Sequence, residues 1–293
     1  MKFASFKTVG LFGKYQDATV GKQLVRLGGF LQSRGLKTVV DEQTAQMLPG
    51  ELGPVLPLGQ MGDAIDVAIA IGGDGTLLHV ARNLAEAGVP VIGVNQGRFG
   101  FLTDIPLADM EREVGRILDG DFEAEQRLLL YAEVRRGGEV VHSARAFNDI
   151  IITKGDIPRL IDYETYIGNQ FVNSARGDGI IVASPTGSTA YALSAGGPIL
   201  EPTLPALALV PICPHTLSNR PIVISADAVV EIVLFASTGG NAHVTFDGQL
   251  NYTLKDGDRI RVRRDEHSVE LLHPSGRNYY DVLRAKLRWG TKY

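Results

Sequence analysis

The stretch Asp66-Val67-Ala68-Ile69-Ala70-Ile71-Gly72-Gly73-Asp74-Gly75-Thr76 decides the fold. Residues 66–71 are a short apolar run rich in β-branched side chains, which predicts a strand buried on both faces. After the glycines, apolar residues recur at helical spacing, so a helix is predicted over 76–87, ended by Gly88. Three glycines and one carboxylate therefore lie where a buried strand ends and a helix begins. In open α/β sheets this is where ligands bind.

The chemistry of this turn has two interpretations. Glycines allow backbone N–H groups to approach a phosphate, and a helix N-terminus favours an anion. Asp74 would repel a phosphate, so its presence fits a role toward a hydroxyl group or a metal. In the alternative interpretation, Asp74 or Thr76 is only the N-cap of the helix. The stretch is neither the dinucleotide fingerprint G-x-G-x-x-G nor a P-loop, which requires Gly-Lys-Ser/Thr.

Around this stretch, the N-terminal part of the chain alternates between strand and helix patterns. Further strands are predicted over 7–13, 37–40 and 89–95, and helices over 20–34 and 107–118. Residues 43–62 show no clear period and are expected to form a loop. The alternation predicts an α/β N-terminal domain over 1–125, with a Rossmann-like parallel sheet.

From about Gln126 onward the pattern changes to short strands. Gly137-Gly138 predicts a hairpin turn between residues 128–136 and a strand that begins at Glu139. The pattern predicts a β-rich, sandwich-like domain over 126–277. A helix predicted over 280–289 leads us to expect that residues 278–293 pack back on the first domain. Further predicted strands cover 146–154, 160–167, 170–173, 180–183, 221–224, 229–236, 242–246, 259–263 and 268–272.

Composition restricts the class of protein. The chain has 293 residues, enough for two domains, and its 44% hydrophobic and 21% charged residues are typical of a globular protein. A net charge of −4 argues against a nucleic-acid partner. The single cysteine fits a cytoplasmic location. We expect no membrane span, no signal peptide and no metal site built from clustered Cys and His side chains.

Two short polar stretches are candidates for ligand contacts. Asn148-Asp149 has the groups that can hold the two hydroxyls of a ribose, although two good turn-forming residues also suit a plain turn. Arg176 and Asp178 point the same way on an extended chain. They either pair with each other at the surface or meet a charged ligand that carries hydroxyl groups.

A third stretch, residues 184–197, follows a predicted strand and is rich in hydroxyl groups. Four hydroxyl-bearing residues and a glycine in this stretch resemble a cradle for an anion or for the edge of a base. They are Ser184, Thr186, Ser188, Thr189 and Gly187. A helix N-cap would explain only one of these hydroxyl groups. Further along, Asp247-Gly248-Gln249 is most simply a hairpin turn.

Taken together, these stretches resemble the bacterial NAD kinases over most of the chain. Gly72-Gly73-Asp74-Gly75-Thr76 alone is shared with diacylglycerol, sphingosine and 6-phosphofructo-kinases, whereas residues 178–191 are similar to the most specific segment of the NAD kinases. Asn148-Asp149 stands where that family usually has Asn-Glu, which keeps the charge on a shorter arm. The resemblance implies transfer of the ATP γ-phosphate to the adenosine-ribose 2′-hydroxyl of NAD, with Mg²⁺ accompanying ATP.

The resemblance also implies roles for individual residues. Asp74 would be the general base, or would position the metal, and no metal is expected to be bound by the protein alone. The chain would be a homo-oligomer, a dimer or a tetramer. The phosphate loop would comprise Gly72, Gly73, Gly75 and Thr76. The implied NAD-binding set is Asp74, Gly75, Asn148, Asp149, Arg159, Arg176, Asp178, Thr189, Ala190, Tyr191, Ala192, Leu193, Ser194 and Gln249.

Two alternatives to this function stay open at the level of sequence. The first is a lipid or sugar kinase of the same superfamily, but the chain shows no apolar entry for a lipid, and a sugar kinase has no need of residues 186–191. The second is a non-catalytic NAD-binding sensor. Such a sensor could lose Asp74, which this chain keeps.

Overall fold

The computed structural model describes residues 6–15, 17–97, 100–155, 160–216, 218–235 and 242–289. The chain forms two compact units. Unit 1 comprises Met1–Gln126 and Ser268–Tyr293, and unit 2 comprises Arg127–His267. The domain limits expected from the sequence, 1–125 with 278–293 and 126–277, stay a prediction.

The helices and strands follow one another along the chain with short connections. The first elements are β1 (Thr8–Gly13), α1 (Ala18–Ser33), β2 (Lys37–Asp41), α2 (Glu42–Ala45), β3 (Val55–Leu56), α3 (Leu58–Met61), β4 (Val67–Gly72), α4 (Asp74–Leu84), β5 (Val91–Asn95), β6 (Ile105–Pro106) and α5 (Met110–Leu118). They continue with β7 (Phe122–Arg136), β8 (Glu139–Ala146), β9 (Asp149–Lys154), β10 (Ile161–Ile167), β11 (Gln170–Gly177), β12 (Gly179–Ala183), α6 (Tyr191–Ser194), β13 (Ala206–Ile212), β14 (Ile222–Ser225), β15 (Val230–Leu234), β16 (Ala242–Phe246), β17 (Leu250–Leu254), β18 (Arg259–Pro274) and α7 (Tyr279–Leu287).

Unit 1 is built on a parallel sheet with the strand order β5-β4-β1-β2-β3. Every residue of β4 is buried, as its apolar sequence predicts. Val67, Ile69 and Ile71 share a core with residues of α1 and α5. Ala68 and Ala70 point to the opposite face of the sheet, because side chains alternate along a strand. The predicted Rossmann-like α/β domain is confirmed.

The region 43–62 is not the loop that its sequence predicts. It contains the short elements α2, β3 and α3, and β3 adds to the sheet in parallel with β2. Asp41 caps α2 by accepting a hydrogen bond from the Thr44 N–H, at 3.1 Å. These elements are two to four residues long. Elements of this length are too short to show a hydrophobic period.

Unit 2 is a sandwich of antiparallel strands, as predicted. One layer has the order β14-β13-β12-β9-β16-β17, and the other contains β11-β10-β15 with the parts of β18, β7 and β8 that belong to this unit. Ile150, Val244 and Leu209 of the first layer share a core with Tyr163 and Ile232 of the second.

Three details of the strand prediction after residue 126 are wrong. β13 and β17 were not predicted, and the two strands expected over 259–263 and 268–272 are parts of one strand, β18. The predicted hairpin between β7 and β8 is confirmed, and both Gly137 and Gly138 adopt positive φ in its turn. Among the helices of the described ranges, none is long and apolar enough to cross a membrane.

Candidate active site

The turn between β4 and α4 lies at the carboxyl end of the parallel sheet. Gly73 is the N-cap of α4 and makes no side-chain capping bond, so the interpretation of Asp74 or Thr76 as the capping residue is wrong. The neighbouring strands β1 and β5 end at the same place. The N–H of Lys14 donates to the carbonyl of Ile71, and the N–H of Gln96 donates to the carbonyl of Gly72, both at 3.0 Å.

The Asp74 carboxylate turns away from its own helix toward residues 101–103. Oδ2 accepts a hydrogen bond from the N–H of Phe101 at 2.8 Å. Oδ1 accepts from the N–H groups of Leu102 and Thr103, at 3.2 and 3.0 Å, and from the Thr103 hydroxyl at 3.0 Å. We call this arrangement the Asp74 clamp. Oδ1 is thus saturated, whereas Oδ2 keeps a lone pair for another donor.

The clamp has its own support from β5. The side-chain amide of Asn95, which is buried, donates to the carbonyl and hydroxyl oxygens of Thr103, at 3.2 and 2.9 Å. Its Oδ1 accepts from the N–H of Gly97 at 2.7 Å. One side chain therefore connects the end of β5 with the residue that holds Asp74.

A cavity of about 330 Å³ opens beside the glycine turn. Its lining combines the backbone of the turn with one cation, Lys14, whose Nζ lies 3.4 Å from Asp17. Asp17 is also the N-cap of α1, and hydrogen bonds from Thr19 lower its pKa. The lining residues are Lys14, Asp17, Gly72, Gly73, Gln96 and Gly97.

Sequence reasoning missed Lys14, Asp17 and Gln96. A usable signal was present, because Lys14 and Gln96 directly follow β1 and β5. Residues just after parallel strands meet at one edge of a sheet, where ligands bind.

In unit 2, three of the polar stretches meet at one end of the first layer. Asp149 opens β9 and pairs with Ala183, the last residue of β12. The N–H of Ser184 donates to the carbonyl of Asn148 at 2.8 Å, and the N–H of Asp247 donates to the carbonyl of Asp149 at 3.0 Å. Residues that are far apart in the sequence therefore form one cluster.

Asp247 organises this cluster and is more than a hairpin turn. Its φ is positive, and its carboxylate accepts hydrogen bonds from the N–H groups of Phe147, Asn148 and Asp149, at 2.9, 2.7 and 3.3 Å. Asp149 is buried beside it, and burial together with the charge of Asp247 raises the pKa of Asp149 to about 7. The plain-turn interpretation of Asn148-Asp149 therefore omits a strained, charged environment.

The hydroxyl groups of residues 184–188 stabilise the loop itself. Ser184 donates to the carbonyl of Phe147 at 2.6 Å, and Ser188 donates to that of Pro185 at 2.6 Å. The Thr186 hydroxyl accepts from Arg127 at 3.1 Å. All three hydroxyl-bearing residues are buried. The interpretation of these three groups as a ligand cradle is therefore wrong.

The remaining residues of the predicted NAD-binding set differ in exposure. Tyr191 and Ser194 are exposed, whereas Ala192 is buried in the core and offers only its backbone. Thr189, Ala190 and Leu193 are half-buried, and Gln249 is exposed in the turn after β16.

Arg176 and Asp178 lie at the opposite end of β12 from Asn148 and Ser184. They do not pair with each other. Arg176 is 3.6 Å from Asp162, and Asp178 forms an ion pair with Lys154 at 2.6 Å. The structure therefore does not bring the whole predicted set together, and Arg159 lies outside the described residues. No group of three or more His, Cys, Asp or Glu side chains suited to a metal ion occurs in the described part of the chain.

Comparison with known proteins defines the class of protein. Two family models match, the ATP-NAD kinase N-terminal domain over residues 58–122 and the ATP-NAD kinase C-terminal domain over residues 147–273. Both describe kinases that act on a nucleotide, and the chain is a kinase of this class.

Full-length relatives specify the family. The chain is 46% identical to the NAD kinase of Nitrosospira multiformis over 286 residues, which is 98% of this chain and 97% of that protein. It is 48% identical to the NAD kinase of Thiobacillus denitrificans, covering 98% of each chain, and 49% identical to that of Ralstonia nicotianae, covering 97% and 93%. The chain belongs to the NAD kinase family.

Solved structures agree on the fold. Yeast NADH kinase, crystallised with NADH, superposes with a TM-score of 0.89 at 23% identity, covering 99% of this chain and 89% of that one. An NAD kinase from Archaeoglobus fulgidus in complex with ATP has a TM-score of 0.76 at 25% identity, covering 96% and 98%.

Proposed function

We propose that this chain transfers the γ-phosphate of ATP to the 2′-hydroxyl of the adenosine ribose of NAD, forming NADP and ADP. The observation that carries the proposal is the position of Asp74, held by the clamp at the carboxyl end of the sheet beside a cavity of about 330 Å³. Membership of the NAD kinase family supports the substrate pair.

Asp74 is proposed as the general base. A carboxylate can accept the proton of a hydroxyl group during its attack on phosphorus. Oδ2 is the atom with a free lone pair, because Oδ1 already accepts three hydrogen bonds. The ribose oxygen then forms a bond to the γ-phosphorus, the bond from phosphorus to the bridging oxygen breaks, and ADP leaves with that electron pair.

The cavity beside the glycine turn is proposed to hold the ATP phosphates. Gly72, Gly73, Gly75 and Thr76 would form the phosphate loop at the N-terminus of α4, and Lys14 would add a positive charge. The Thr76 N–H itself donates to the carbonyl of Gly73, at 3.0 Å. Mg²⁺ would supply further neutralisation through the phosphate oxygens, which is its usual mode of binding in kinases. The donor set fits this, because a triphosphate needs both a cation and close backbone donors.

The residues proposed to recognise NAD lie in unit 2. Asn148 and Asp149 would hold ribose hydroxyls, since an amide and a carboxyl group together accept and donate. The exposed Tyr191, Ser194 and Gln249 can make side-chain contacts, and Ala192 can contribute only its backbone. Arg176 and Asp178 would act as a separate part of the site, with Arg159 carried over from the resemblance alone.

A direct assay tests the proposal. The purified chain is incubated with ATP, Mg²⁺ and NAD, and NADP is detected with an NADP-specific dehydrogenase. We expect NADP only when all three are present. NAD binding by calorimetry without NADP formation would favour a sensor, and the absence of both would refute the proposal.

Two further features of the family are proposed for this chain. A homo-oligomer, a dimer or a tetramer, is expected, and light scattering after size-exclusion chromatography measures it. A reducing cytoplasm is the proposed location, because a single cysteine forms no disulfide within the chain.

A further inference from the structure

A cluster of ionisable side chains lies inside unit 1, among residues that have no role in the proposed reaction. The Arg277 guanidinium is 10% exposed, with Nε 2.5 Å from Asp104 Oδ2 and Nη1 3.1 Å from Glu125 Oε2. His273 is buried beside it, and its ring nitrogens lie 2.9 Å from Asp104 and 3.4 Å from Glu125. Arg277 is thus held in one orientation by two carboxylates.

The remaining nitrogen of Arg277 reaches the Asp74 clamp. Nη2 donates to the carbonyl oxygen of Phe101 at 3.1 Å, and the N–H of the same residue donates to Asp74 Oδ2 at 2.8 Å. Asp104, the ion-pair partner of Arg277, directly follows the Thr103 that donates twice to Asp74. The cluster therefore holds both ends of residues 101–104.

The C-terminal helix adds a second contact to the same residue. The Lys286 ammonium of α7 lies 5.6 Å from the centre of the Phe101 ring, a distance typical of a cation–π interaction. Arg277 and Lys286 thus approach Phe101 through its carbonyl group and its ring. The planar guanidinium hydrogen-bonds to Glu125 and to Phe101 at once through Nη1 and Nη2, a fixed geometry that a single ammonium does not reproduce.

We propose that Arg277 is a positioning residue for phosphoryl transfer, acting through Phe101 on the carboxylate of Asp74. The inference rests on the proposed role of Asp74 as the base. Arg277 holds the Phe101 peptide so that its N–H fixes Oδ2, the oxygen that we propose takes up the proton. Loss of this hold displaces the base, and small displacements of reacting groups reduce the rate steeply.

Hydrogen exchange tests the structural step without relying on activity. In Arg277→Ala we expect the amides of residues 101–103 to exchange about 10-fold faster than in the unmodified chain, because their hydrogen bonds open more often. Arg284→Ala is the matched control, since it removes an exposed guanidinium of α7 that pairs with Asp281. Unchanged exchange at 101–103 in Arg277→Ala would overturn the proposal.

Kinetics test the functional step. Arg277→Ala is expected to lower kcat about 10- to 100-fold, with KM for ATP and for NAD changed less than about twofold, while Arg284→Ala keeps the original kcat. Arg277→Lys keeps a positive charge between Asp104 and Glu125. If the alanine variant unfolds, the lysine variant therefore tests whether the guanidinium positions Asp74. It should lose kcat while retaining its Tm.

The outcomes separate this inference from the proposed function. An unmodified chain that forms no NADP refutes the function, and the exchange measurement then still decides whether Arg277 holds residues 101–103. An active chain whose Arg277→Lys variant keeps full kcat shows that charge suffices, which overturns the positioning role alone. A rise in KM without a fall in kcat overturns it as well.

Discussion

Gly100 lies directly against the carboxylate of Asp74, so closely that a Cβ atom at position 100 would overlap Oδ1. The same Cβ would also overlap the Thr103 hydroxyl. The Asp74 clamp therefore requires glycine at this position for reasons of space.

We accordingly expect Gly100→Ala to displace the clamp and to lower kcat by about 10- to 100-fold, since misplacement by an ångström costs this much. Steady-state kinetics measure the effect. Gly29→Ala is the control, because a Cβ there meets nothing within 4 Å and the residue lies in α1. Normal turnover in Gly100→Ala would show that the clamp tolerates displacement.

Asp74→Asn tests the base itself. The amide cannot take up a proton, and its NH₂ group would face an N–H donor of the clamp, so we expect kcat to fall by roughly 10²–10⁴. The measurement is NADP formation under saturating ATP and NAD, with Tm recorded in parallel. A variant with near-normal turnover would remove Asp74 from the mechanism.

Lys14→Ala tests the phosphate cavity. Lys14 is the one cation of the described residues that line this cavity, and its removal should raise KM for ATP about 10-fold while KM for NAD stays within twofold. Lys22→Ala on the exposed face of α1 is the control. An unchanged KM for ATP would place the phosphates elsewhere.

Asp149 makes stability depend on pH. Its pKa is raised from 3.8 to about 7 in the folded chain, by burial and by the charge of Asp247. Between these values the folded chain keeps a proton that the unfolded chain releases, so stability falls as pH rises and levels off above about pH 7. Asp149→Asn should remove this loss and be more stabilising at pH 8 than at pH 5, by on the order of 3 kcal/mol.

Chemical denaturation at both pH values measures the difference in the free energy of unfolding. Asp227→Asn, at an exposed position, should show no such dependence. Equal effects of Asp149→Asn at pH 5 and pH 8 would mean that Asp149 is ionised in the folded chain throughout.

Asp247 is expected to be essential for the shape of the unit 2 cluster. Asp247→Ala leaves the N–H groups of residues 147–149 without an acceptor and places alanine at positive φ, so we expect a loss of about 1–3 kcal/mol in the free energy of unfolding. Asp247→Asn keeps one acceptor oxygen and tolerates this backbone conformation better.

Asp247→Ala should therefore have a lower stability and a higher KM for NAD than Asp247→Asn. Thermal denaturation and steady-state kinetics establish the order. The reverse order would contradict the prediction, whereas a gain in stability in both variants, which remove the charge equally, would show that the charge of Asp247 outweighs its hydrogen bonds.

Much of the fold follows from local patterns. β4 and the hairpin between β7 and β8 were predicted correctly, because each is determined by a few neighbouring residues. For β4 these are its apolar run, and for the hairpin they are its two glycines. β13 was missed because it is apolar throughout, so its sequence shows no alternation of apolar and polar residues. Pro205, directly before it, also obscures where the strand begins. β17 is largely exposed, and its alternation is weak.

The site is harder to predict because its contacts are distant in sequence. The Gly72–Thr76 turn was evident, but Asp74 is held by residues 27 to 29 positions away, and Asp247 by a residue 100 positions away. A single sequence carries no signal for such pairs. The hydroxyl of Ser184 misled for the same reason, since its partner, the carbonyl of Phe147, lies 37 positions away. The Ser188 hydroxyl instead bonds within its own turn, to the carbonyl of Pro185.

Unit 1 is discontinuous in sequence, and this has a consequence for biosynthesis. Leu271 joins the sheet beside Val91, and Arg277 contacts Phe101, which precedes it by 176 residues. A nascent chain on the ribosome must therefore complete unit 2 before the last strand and anchor of unit 1 emerge. Until Arg277 has been synthesised, residues 101–104 lack their contacts with it, so we expect the Asp74 clamp to become fully anchored only at the end of synthesis.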